Sequence, residues 1–152
     1  MTFYSILVTL HVIAAVCGLG AAFAQPIIAK IPKTVSQAML CIQINEKVEK
    51  LAKYGSIALL ITGLILGAIN PSLFTQVWYI ISIIIFISVQ PIVAAILPKK
   101  VKAQLELLEN HKGKNETLPE KYHQLNKEQQ PFTMYVHSAA VVLIILMVLK
   151  PF

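Results

Sequence analysis

The chain has 152 residues, 57% of them hydrophobic and 13% charged, and its +6 net charge comes from 13 lysines set against seven glutamates, with neither Arg nor Asp. This composition and a strongly positive mean hydropathy exclude an ordinary soluble domain. Lysines interleaved with glutamates and supported by few aromatics also exclude a nucleic-acid partner.

Lys and Glu are missing from three stretches, Phe3 to Ala29, Tyr54 to Pro98 and Gln129 to Leu149. A helix needs about 20 apolar residues to cross a bilayer, so the first and third stretches supply one span each and the middle one supplies two. The polar run Asn70-Pro71-Ser72, with Thr75 and Gln76, divides the middle stretch as a tight surface turn. The predicted spans are 3–29, 54–70, 74–97 and 131–149, in an all-α four-helix membrane bundle forming one transmembrane domain over 1–152.

Span one opens with Leu10-His11 and continues with a small-residue strip, Ala15, Gly18 and Ala22, suited to close helix approach. Ala22-Phe23-Ala24 imitates a signal-peptide cleavage site, but the apolar run is longer than a usual signal core and no Lys or Arg precedes it. We therefore read a retained span. Cys17 falls within the membrane and Cys41 in the following loop, without C-x-x-C spacing, so no disulfide between them is expected.

Segment 30–53 has a helix cap at Thr34 and no breaker before span two, which predicts one long helix rising beyond the bilayer. Gly63 and Gly67 on span two form a G-x-x-x-G pair that favours close helix packing. After span three, Val101, Leu105 and Leu108 keep helical spacing until Gly113, so two antiparallel extensions can pack outside the membrane. Thr117-Leu118-Pro119-Glu120 matches a capping box and predicts a short surface helix through about Gln129. The charge-mixed faces of these segments read as solvated or interfacial surface.

Twelve of the thirteen lysines lie in segments 30–53 and 98–130, and Lys150 is the exception. The positive-inside tendency makes those segments cytoplasmic, with both termini and the Asn-Pro turn outside, in a multi-pass plasma-membrane protein. The lysines then lie beside anionic lipid.

Two segments nearly repeat: QPIIAKIPK from Gln25 and QPIVAAILPKK from Gln90. Each ends an out-to-in span, which implies two tandem helical hairpins of parallel orientation. Pro26 and Pro91 each remove a helical hydrogen bond and free the carbonyls of Ala22 and Ile87, for which Gln25 and Gln90 are candidate donors. Either the two Gln-Pro steps form a paired kink or they line a polar site.

No carboxylate falls within a span, which disfavours a carboxylate-coupled transporter and leaves no acid–base pair there. His11 and His137 remain as the intramembrane candidates, about 13 Å and about 20 Å below the outer surface. Together they form a candidate ligand pair for haem iron or copper; alternatively each fastens helices by bonding a polar neighbour or a freed carbonyl. His111 and His123 read as solvent-exposed.

The opening LHVIAAVCGLGAAFAQPIIAK resembles the first span of an uncharacterised family of small bacterial four-span membrane proteins, the domain of unknown function 2269. More distantly it is similar to the first helix of copper-resistance D and HemJ-type proteins, which begin with a Leu-His pair and a small-residue strip. The HemJ likeness implies b haem with His11 as an axial ligand, and protoporphyrinogen oxidation. Leu19 replaces the aromatic common before the Gly in those relatives, and no lysine lies early in span two where the HemJ type carries one. The leading expectation is a small membrane protein holding haem b between His11 and His137 for electron transfer or haem-linked oxidation. A non-enzymatic assembly subunit, as a homo-oligomer or within a larger membrane complex, is the alternative, and a small-solute transporter the third. Whether the chain is an enzyme stays open.

Overall fold

The computed structural model describes residues 2–111 and 117–151. Its helices are α1 (Phe3–Ala29), α2 (Val35–Ile69), α3 (Val77–Pro91), α4 (Leu97–His111) and α5 (Glu120–Leu149), and a five-residue π turn (Ile92–Ile96) joins α3 to α4. Four helical rods are long and apolar enough to cross a membrane, with Val77–His111 continuous as one of them. Helices satisfy their own backbone, which is the condition for crossing hydrocarbon. The four-span all-α bundle expected from sequence is the one observed.

Local chemistry sets most boundaries. Thr34 Oγ1 accepts from Gln37 N at 3.3 Å and starts α2, which then runs without a break for 35 residues, or about 52 Å. That length exceeds the hydrocarbon core, and the predicted single long helix is present. Asn70, lacking helical geometry, ends α2, and Pro71–Thr75 forms a 3₁₀ turn in which Ser72 Oγ donates to Asn70 Oδ1 at 2.6 Å.

Two sequence expectations are corrected at α5. It is one 30-residue helix rather than a surface helix followed by a separate span, and Pro131 lies inside it. The carbonyl that Pro131 frees belongs to Lys127, an exposed residue that water can serve, so the proline does not break the rod. The capping box does not form: Pro119 occupies the cap without a side-chain bond, while Thr117 pairs with Thr34 in an isolated antiparallel bridge. The predicted stop at Gly113 lies outside the described residues.

The two hairpins have different kinds of contact. Gly18 on α1 meets Gly55 on α2 backbone to backbone: a Cβ on Gly18 would lie 2.9 Å from Ser56 N, and one on Gly55 would lie 2.6 Å from Gly18 Cα. In the second hairpin two polar side-chain contacts join the helices, with Ser88 Oγ and Tyr135 Oη 2.8 Å apart and Lys100 Nζ 3.2 Å from Glu128 Oε2. Outside the bilayer, α2, α4 and the start of α5 close a small apolar core of Val35, Ala38, Ile42, Leu108 and Tyr122, with Val101 and Leu105 against it. The spans turn apolar faces outward, as at Val16, Ile84 and Val148. In a membrane such faces meet lipid.

Candidate functional site

Between the two hairpins lies a cavity of about 530 Å³, in the size range of small-molecule sites. Its walls come from all four spans: His11, Leu19 and Phe23 of α1, Leu59 and Gly63 of α2, Tyr79, Ser82 and Phe86 of α3, and Leu143 and Met147 of α5. Nearly all of this surface is hydrocarbon or aromatic. Its few polar groups are already engaged, since Tyr79 Oη donates to the Gly63 carbonyl at 3.0 Å and Ser82 Oγ to the Trp78 carbonyl at 2.7 Å.

His11 is the exception. Its Nδ1 lies 2.8 Å from Thr62 Oγ1, and that hydroxyl donates its single hydrogen to the Ala58 carbonyl at 2.7 Å. Thr62 therefore accepts from His11, which assigns the ring proton to Nδ1 and leaves the lone pair on Nε2. Gly63 makes room for the ring, because a Cβ there would lie 3.2 Å from His11 Cε1.

His137 does not join this site. Its Nε2 lies 3.0 Å from the Ala22 carbonyl oxygen, its Nδ1 faces the Thr133 carbonyl, and its ring stands 5.5 Å from that of Phe23. Ala22 lies eleven residues beyond His11 on α1, or about 16 Å along the helix. The expected pairing of His11 with His137 is corrected accordingly: the residues that His137 meets, Ala22 and Phe23, lie about three helical turns along α1 from His11. The expectation that His137 bonds a freed carbonyl is met.

The two Gln-Pro steps are built differently. At the first, the Ala22 carbonyl released by Pro26 takes its donor from His137 rather than from Gln25, and Asn45 Nδ2 donates to the Gln25 carbonyl at 3.4 Å. At the second, Gln90 Nε2 donates to the Phe86 carbonyl at 3.4 Å, and the chain widens into the π turn directly after Pro91. Neither glutamine lines the cavity.

The glycine expectations divide. Gly18 provides close helix approach, but its partner is Gly55, which sequence reading passed over. Gly63 and Gly67 instead accommodate side chains, the imidazole of His11 at one and the rings of Phe74 and Tyr79 at the other. Thr62, Tyr79 and Met147 were also missed. Only Thr62 had a local signal, since a hydroxyl one position before the first glycine of the pair falls on the same stretch of helix.

A second, smaller cavity of about 50 Å³ lies beneath the extramembrane core, where Asn45, Gln104, Asn126 and Gln129 converge. Gln104 Nε2 donates to Asn126 Oδ1 at 2.7 Å. Cys17 and Cys41 are both free. Among the described residues no three His, Cys, Asp or Glu side chains come together as a metal cluster.

A family model described as "Predicted integral membrane protein (DUF2269)" matches residues 5–151. No curated protein and no solved structure matches the chain. The chain belongs to this family of integral membrane proteins.

Proposed function

We propose that this member of the integral membrane family binds one b-type haem in the interhelical cavity, with His11 Nε2 as an axial ligand, and serves electron transfer or haem-linked oxidation. The observation that carries the reading is the uncommitted Nε2 of His11 on the wall of an apolar cavity of about 530 Å³. The residues fit the group in kind: an apolar cavity suits a macrocycle, and the Thr62 bond holds the imidazole in the tautomer that ligation requires. Met147 brings the one thioether in the lining, a second soft donor on the same cavity. Bound haem would supply one-electron chemistry that no side chain of the spans provides. The chain's own part is to hold His11, exclude water and present Met147.

The lysine distribution supports the orientation proposed with this reading: α2, α4 and the start of α5 extend into the cytoplasm, and the 3₁₀ turn lies outside. For His137 the geometry supports a structural role, which keeps an assembly subunit as the second reading.

The test is the absorption spectrum, oxidised and dithionite-reduced, of protein purified in mild detergent after expression with haem supplied. A b-type spectrum in the wild type, retained in His137→Ala and lost in His11→Ala, is the expected result. A colourless wild-type protein overturns the haem reading and leaves the assembly role.

A further inference from the structure

Lys150 is the one lysine outside the two Lys-rich segments. It follows directly on the end of α5, whose last turns contribute Leu143, Met147 and Val148 to the cavity wall. Its backbone is left-handed, at φ 45 and ψ 57, and among the described residues no other residue except glycine has positive φ. That conformation suits glycine and is costly for lysine. It closes α5 by an N–H bond from Lys150 to the Leu146 carbonyl at 3.0 Å.

The turn also aims the side chain. Lys150 Nζ lies 5.7 Å from the ring centroid of Trp78, and Trp78 immediately precedes Tyr79, a residue of the cavity wall. The ammonium is therefore held over the ring of Trp78, whose centroid stands 5.8 Å from that of Tyr79 on the cavity wall, and its ion-pairing capacity is not taken up by any carboxylate among the described residues. The seven glutamates all fall in the two Lys-rich segments, at the other end of the bundle.

We infer that the ligand of this cavity is an amphiphile bearing a carboxylate, whose apolar body lies among Phe86, Leu143 and Met147 and whose acidic group pairs with Lys150. An apolar cavity with a single cation one aromatic ring away from its wall selects such a molecule over a neutral one, because only an acidic group forms a charge-assisted bond with that cation. The inference rests on the proposal that the cavity holds a ligand, and for haem it assigns Lys150 to a propionate.

The experiment titrates the full-length wild type and Lys150→Gly in detergent with haemin and with haemin dimethyl ester, and follows their thermal unfolding. Glycine suits the left-handed turn, so the variant's unfolding temperature is expected to be equal to or above that of the wild type. The wild type is expected to bind haemin about tenfold more tightly than the ester, and Lys150→Gly to lose that preference while keeping its affinity for the ester. Equal affinity of the wild type for acid and ester, or unchanged haemin affinity in Lys150→Gly, overturns the inference and leaves the ligand-binding reading intact. A wild type that binds neither porphyrin overturns both.

Discussion

His137 Nε2 lies 3.0 Å from the carbonyl oxygen of Ala22, and Ala22 is the residue whose helical donor Pro26 removes. A proline on one span and a histidine on another thus form a single unit. In hydrocarbon the freed carbonyl has no water to fall back on.

His137→Ala leaves that acceptor without a partner in hydrocarbon, and is expected to cost about 1–3 kcal/mol. Restoring the helical N–H with Pro26→Ala in the same chain should recover most of the loss. A double-mutant cycle by thermal unfolding in detergent checks it, and additive single effects would mean that the two residues are not coupled.

Gly18→Ala and Gly55→Ala each drive a methyl into backbone, which cannot yield as a side-chain tip would. Each is expected to destabilise by about 1–3 kcal/mol. Gly20→Ala, whose Cβ would meet nothing within 4 Å, should leave the unfolding temperature unchanged.

Thr62→Val removes the oxygen that accepts from His11 Nδ1 while preserving shape. Loss of such a supporting bond is expected to weaken haem binding about 10- to 100-fold, read as Soret absorbance in a haemin titration, with little change in helix content by circular dichroism.

Burial, aided by Glu46 and opposed by Lys53, raises the Glu49 carboxyl above its ordinary 4.5. A raised folded value means the folded chain holds the proton more tightly. Glu49 therefore favours folding in acid, and that contribution is lost as pH climbs above 4.5 through the folded value. Glu49→Gln should flatten this part of the pH dependence and raise the unfolding temperature at neutral pH, which a series of melting curves would show.

Leu108, fully buried in the extramembrane core, is expected to cost about 2–5 kcal/mol when changed to Ala. Hydrogen exchange should then rise first in Val35–Ile42 and Glu120–Tyr122, ahead of the spans.

What the sequence disclosed depended on the range of the forces involved. Span number, the unbroken α2 and the tandem hairpins follow from charge-free run length, a threonine cap and a repeated Gln-Pro step, all of which act within a few residues. The continuity of α5 was hidden because Pro131 reads as a breaker until the setting of the Lys127 carbonyl is known. The relation of His11 to His137 was misread because axial offset between helices is a tertiary quantity. It is set by where imidazole meets carbonyl, and no single span records it. Gly55 was passed over for the same reason, since it becomes significant only when Gly18 lies opposite.

The length of α2 has a mechanical consequence. Gly55, pressed against Gly18, lies thirteen residues from Ile42 in the extramembrane core and eight from Gly63 beside His11. Asn45 ties the same helix to the Gln25 carbonyl about 15 Å to one side of that point, and Thr62 ties it to His11 about 10 Å to the other. A rod clasped at three places against its neighbour has no free pivot, so α1 and α2 form one stiff wall of the cavity.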